Sequence, residues 1–116
     1  MGMKINHEDG IMIAINDWIL LKRYDSFIFH LAQERKCTPQ YGAKLKRMGV
    51  RAGVADLFIT RPCKGFHGYW IEVKAGKNKP TQAQLDFLDN RRAEGYKAEW
   101  LVGFDETVRS IESYIG

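Results

Sequence analysis

The sequence predicts an α/β fold, a mixed β-sheet flanked by helices in the order αβ(loop)ββαβα, within one domain covering 1–116. Three observations predict it. Apolar residues at helical spacing open the chain. Two runs rich in β-branched and aromatic residues, Leu57-Phe58-Ile59-Thr60 and Tyr69 to Val73, flank a loop of turn-forming residues. A helical stretch then separates the second run from a last strand, which permits a parallel crossover.

The elements follow in chain order. From Glu8 to about Arg23, Ile11, Met12, Ile15, Trp18, Ile19 and Leu21 keep helical spacing, with Asn6 as N-cap and Glu8 and Asp9 in a first turn that suits the helix dipole. Ser26 to Gln33 reads as a strand, because Phe27, Phe29 and Leu31 alternate with Ile28 and His30. Thr38 to Gly53 is basic and punctuated by Gly42, Gly49 and Gly53, so it reads mainly as a surface loop with room for a short helix around Ala43 to Met48. The two central strands are joined by Arg61-Pro62-Cys63-Lys64-Gly65-Phe66-His67-Gly68. Pro80-Thr81 opens a helix carrying Leu85, Phe87, Leu88 and Arg91 that stops near Gly95, and Thr81-x-x-Gln84 has the form of a capping box. Ala98 to Phe104 is the last strand and Thr107 to Tyr114 a closing helix.

Composition narrows the function classes. At 45% hydrophobic and 28% charged, the chain is of ordinary globular make-up. No apolar run approaches the ~20 residues of a membrane span, and no signal-peptide pattern opens the chain, so a cytoplasmic protein is expected. Cys37 and Cys63 lack CxxC spacing and a flanking histidine cluster, which argues against zinc and for reduced thiols. The net charge of +4 permits nucleic-acid binding. Its placement says more: Lys36, Lys44, Lys46, Arg47 and Arg51 precede Asp56, and Lys77 and Lys79 follow Glu72 and Lys74. Lys44, Lys46, Arg47, Arg51 and Lys77 are the candidate DNA-binding residues.

Asp56, Glu72 and Lys74 carry the chemistry. All three abut strand-forming apolar runs, where charges are costly to bury unless paired or bound to a metal. Glu72 and Lys74 are two apart on one strand and so share a sheet face. In a hairpin centred near Lys64, Asp56 stands directly opposite Glu72, and opposed carboxylates repel unless a cation lies between them. Oxygen ligands suit Mg²⁺ or Mn²⁺, with Asp56, Glu72 and the carbonyl of Val73 as the donors. The cation would activate water for phosphodiester hydrolysis, and Lys74 would orient that water and counter transition-state charge. The bland alternative is a surface Glu-x-Lys pair with Asp56 capping a turn.

Lys46-Arg47-Met48-Gly49-Val50-Arg51-Ala52-Gly53-Val54-Ala55-Asp56-Leu57, then Ile71-Glu72-Val73-Lys74, then Thr81-Gln82-Ala83-Gln84, resemble the VRR-NUC family of the PD-(D/E)xK nuclease superfamily. The resemblance runs from Glu8 to the last strand and implies a restriction-endonuclease-like fold and a Mg²⁺- or Mn²⁺-dependent endonuclease without an organic cofactor. Asp56 and Glu72 match the metal-binding acids and Lys74 the catalytic lysine. Glu8 matches the acid of the first helix, beside the metal. Gln84 matches the glutamine on the helix after the catalytic strand. Glu34 falls where the family often has Asn-Glu, but here follows Gln33, and Ala55 replaces the superfamily's proline. His30 reads as a structural or DNA-facing strand residue. Stand-alone members of this size are typically phage or bacterial proteins that resemble dimeric Holliday-junction resolvases. A homodimer acting on branched DNA in a bacterial cell or phage-infected host is therefore the leading expectation. A non-catalytic DNA-binding module on the same fold, and a nuclease for flaps or ends, are the alternatives.

Overall fold

The first helix, α1 (Glu8–Lys22), buries Ile11, Ile15 and Ile19, which fall on one stripe at four-residue spacing. Fully burying each contributes roughly 1.5–3 kcal/mol. Leu21, expected on that stripe, is 80% exposed, because its position is rotated away from the isoleucines. The computed structural model describes residues 8–31 and 38–116. The N-cap expected at Asn6 and the residues Gln33, Glu34, Lys36 and Cys37 lie outside the described residues.

Among the described residues, four strands form one sheet in the order β1 (Ile28–His30), β2 (Leu57–Ile59), β3 (Tyr69–Lys74), β4 (Lys97–Val102). The first two pairings are antiparallel and the last is parallel. The parallel step is made through α3 (Gln82–Ala93), as a helix between the last two strands allows. α4 (Gly103–Ile115) lies beside α1 on one sheet face, where Tyr69, Ile71 and Val73 of β3 meet Ile111 and Tyr114. The opposite face holds a smaller cluster of Ala55, Leu88 and Ala98 with Trp70, Phe87 and Trp100, covered by α3. Strand alternation thus sends Glu72 and Lys74 to the α3 face, between Trp70 and the end of the strand.

Three local expectations are corrected. The basic stretch holds a full helix, α2 (Pro39–Arg47), rather than mainly loop. Thr38 is its N-cap, its hydroxyl accepting from the Tyr41 N–H, and Pro39 opens the first turn. Among the described residues the first strand takes in Ile28 to His30 and leaves out Ser26, Phe27 and Leu31, because only Ile28 to His30 pair with β2; the end expected at Gln33 lies outside the described residues. Thr107 does not open the last helix: its hydroxyl donates back to the Gly103 carbonyl at 2.8 Å from a fully buried position inside it.

Gly53 is where backbone conformation and packing coincide. Its φ is +87°, and a Cβ there would lie 2.7 Å from the Ala83 carbonyl oxygen in the first turn of α3. This contact seats the segment leading to Asp56 on the helix that carries Gln84. Gly53→Ala is expected to lose about 2 kcal/mol or more, a Tm drop on the order of 8 °C. A thermal melt unchanged from the wild type would show that the segment is not held there.

Candidate active site

The hairpin between β2 and β3 has the register anticipated from symmetry about Lys64: Leu57 pairs with Ile71, Phe58 with Trp70 and Ile59 with Tyr69. One step beyond, Asp56 and Glu72 face each other across the strand ends. The backbone holds Asp56 from both sides. The Leu31 N–H donates to its carbonyl at 2.8 Å, and the Val73 N–H donates to its Oδ2 at 2.8 Å. Val73, expected to act through its carbonyl, thus also fixes the facing carboxylate through its amide.

Glu8, at the start of α1, joins this pair. Carboxylate oxygens of Glu8, Asp56 and Glu72 all lie within 4.8 Å of one another, with the last two side chains buried. Lys74 Nζ sits 3.2 Å from Glu72 Oε2 and 3.9 Å from Glu8 Oε1. On the third side Gln84 serves two purposes with one carboxamide. Its Oε1 accepts from the Thr81 N–H at 2.9 Å, completing the capping box, while its Nε2 donates to Glu72 Oε2 at 3.1 Å. Gln84 faces the site because it precedes Phe87 and Leu88 on the stripe that α3 turns to the sheet.

Glu72 is therefore engaged by N–H donors through one oxygen and not through the other. Oε1 is buried and receives no N–H from the described residues, so the neighbour left to this carboxyl is the Asp56 carboxylate, with which it shares a proton. Ionising both acids would break that shared proton and leave two buried charges facing each other, which is costly without a cation. Burial and the charge of Asp56 push the Glu72 carboxyl up to about 8, against the pull of Lys74. Asp56 is also raised, chiefly by burial, with the Val73 amide, a hydrogen bond shared with the Glu72 carboxyl, His30 and Lys74 acting against the rise. Two acids made reluctant to ionise and a third beside them form a donor set that fits a hard divalent cation. The same atoms explain why a bare surface Glu-x-Lys pair is the wrong description: Glu72 is 2% and Lys74 7% exposed.

The structure brings together Glu8, Asp56, Glu72, Val73, Lys74 and Gln84. The basic residues are placed differently. Lys44, Lys46 and Arg47 are exposed along α2, Arg51 is exposed just beyond it, and Lys77 is exposed in the turn after β3. Lys79, in the same turn region, lies 5.4 Å over the Trp100 ring. His30 ends β1 opposite Leu57, exposed and near enough for its charge to act on Asp56. Sequence reasoning missed the pinning of the Asp56 segment by Gly53 and by Leu31. A glycine between Ala52 and Val54 at the end of the basic stretch was the only local signal for the first, and nothing local marked the second.

No helix among the described residues is long and apolar enough to cross a membrane. No protein-family model matches the chain, and no curated protein matches it in sequence. Among solved structures, the fold is similar to that of a protein described as a VRR_NUC domain protein, with a TM-score of 0.80 and 30% sequence identity. The likeness covers 94% of this chain and 88% of that one.

Proposed function

The chain belongs to the VRR-NUC family, a family of nuclease fold, and from that premise we propose that it is a metal-dependent, structure-selective DNA endonuclease hydrolysing phosphodiester bonds of branched DNA such as four-way junctions. The observation that carries the proposal is the convergence of the Glu8, Asp56 and Glu72 carboxylates within 4.8 Å of one another, the last two buried, with Lys74 alongside. A structural salt bridge pairs one lysine with one acid, whereas here Lys74 faces three gathered carboxylates. A cluster that accepts a further cation accounts for the surplus acids.

Glu8, Asp56 and Glu72, with the Val73 carbonyl, would hold Mg²⁺ or Mn²⁺, which when bound polarises the scissile phosphate and makes water a better nucleophile. The remaining work falls to the chain's own groups. The Lys74 ammonium, already between Glu72 and Glu8, places a cation where negative charge grows on the phosphate, and orients the attacking water. The Val73 amide and the Gln84 carboxamide keep Asp56 and Glu72 aimed at one point, so little reorganisation is needed as the reaction proceeds. Gln84 is a positioning residue in this scheme. The exposed cations of α2, with Arg51 and Lys77, would contact phosphates without reading sequence. Two copies related by a two-fold axis would present two sites to two strands.

Cleavage of labelled four-way junction, flap and blunt duplex, each with Mg²⁺, with Mn²⁺ and with EDTA, tests this reading. Metal-dependent cutting that is fastest on the junction is expected. Equal rates on all substrates would remove the structural selectivity, a preference for flaps or ends would reassign the substrate, and no cutting with metal bound would leave a DNA-binding module.

A further inference from the structure

Helix α2 buries none of its side chains in the body of the protein. A nine-residue helix is marginal in water unless something outside its own backbone holds it. Here both ends are closed locally. Thr38 and Pro39 cap the start, and at the end the Val50 N–H bonds the Leu45 carbonyl while the Gly49 N–H bonds that of Lys46, with Gly49 at φ +99°. This is the paired closure that lets a helix stop cleanly.

What the helix displays is mixed. Tyr41, Leu45 and Met48 fall at i, i+4 and i+7 and form one apolar stripe, with Leu45 half-buried and Tyr41 54% and Met48 70% exposed on either side of it. Lys44, Lys46 and Arg47 flank it, and from Thr38 to Ala55 the chain has four cations and no acid. The cations in the last turn suit the helix dipole, which accounts for their helical position but not for the absence of any acid around them. The cations around the apolar stripe repel a basic surface and attract a polyanion. The polyanion whose other face is flat and apolar is a nucleic acid with unpaired bases. The stripe is also tied to the site: Arg51 is five residues from Asp56, a reach of at most about 18 Å, and Gly53 seats the connection on α3.

We propose that α2 is a docking helix for unpaired nucleotides: Tyr41 and Met48 pack against bases exposed at a fork or gap, while Lys44, Lys46 and Arg47 hold the flanking phosphates. The proposal rests on the DNA-nuclease reading and adds to it an element that favours forks and gaps over fully paired DNA; a fully paired four-way junction would engage α2 through its phosphates alone.

The test is fluorescence anisotropy in EDTA, which prevents cutting, with a forked duplex bearing unpaired arms and a fully paired duplex of equal length. Tyr41→Ala combined with Met48→Ala is expected to weaken fork binding about tenfold or more, with duplex affinity within about twofold and an unchanged salt slope. Lys46→Ala combined with Arg47→Ala is expected to weaken both probes alike and to flatten the salt dependence. Because α2 buries no side chain, the melts of both variants should match the wild type, so folding does not confuse the result. Equal losses on fork and duplex for the Tyr41/Met48 pair, or no loss on either, would overturn the proposal. A wild-type dimer that this pair converts to monomer in sedimentation would overturn it too, giving the stripe to a second copy of the chain. Failure of the wild type to bind either probe at low salt would instead sink the DNA reading itself.

Discussion

Asp56→Asn is expected to lower phosphodiester cleavage by at least about 10³-fold, roughly 4 kcal/mol of transition-state stabilisation, while the protein stays folded and still binds DNA. The substitution is chosen to separate geometry from charge. Asparagine keeps an oxygen that can accept the Val73 N–H, the bond that fastens the side chain at 2.8 Å. It keeps the backbone carbonyl that receives the Leu31 N–H. It removes one negative charge from three clustered carboxylates, which weakens the hold on a divalent cation far more than it disturbs the fold. DNA affinity should hold or rise, since an anion near the phosphates has been removed. Lys74→Ala gives the companion measurement. It should lose comparable activity and yet leave divalent binding, read by calorimetry, in place. A purified Asp56→Asn protein that retains more than a tenth of wild-type cleavage would remove Asp56 from the site.

The hairpin was legible because its two halves carry their charges at equal distance from Lys64, and strand alternation then leaves one choice of face. The capping box of α3 was legible because Thr81 and Gln84 sit three apart ahead of an apolar stripe. That Gln84 also reaches Glu72 was not, since the contact depends on which way the helix is rolled over the sheet. α2 was obscured by its glycines. Gly42 and Gly49 read as loop punctuation, whereas Gly49 closes the helix and Thr38-Pro39 opens it. The first strand was overextended because alternation from Phe27 to Leu31 continues past the residues that find a ladder partner. Glu8 shows the limit most plainly. It is 48 residues from Asp56, with no period linking them, so only the family resemblance placed it, and the packing of α1 over the sheet brings it there. Local chemistry survives in sequence; convergence from distant elements does not.

Glu72→Gln should stabilise the metal-free protein while abolishing its metal-dependent activity. In the folded chain the Glu72 carboxyl holds its proton up to about pH 8, whereas its ordinary value is 4.5, because burial and then the charge of Asp56 oppose ionisation more than Lys74 favours it. A raised folded value means the folded state binds that proton more tightly than the unfolded state does. The resulting stability is full below about pH 4.5 and is lost as pH rises through about 8, since the unfolded chain ionises first. Glutamine never ionises, so the difference in Tm, variant minus wild type, should widen from pH 5 to 8.5 in EDTA. Saturating Mg²⁺ should reverse the trend. Binding requires the ionised carboxylate and releases its proton, so the wild type gains most at high pH and the variant gains little. Melts of both proteins across that range, with and without metal, decide between two accounts of the same atoms. If Glu72→Gln is the less stable protein at every pH without metal, the 3.2 Å contact to Lys74 is a structural ion pair and the cluster is not strained toward a ligand. If the gap opens with pH and closes with Mg²⁺, the apo fold is carrying the cost of a charge placed for a cation.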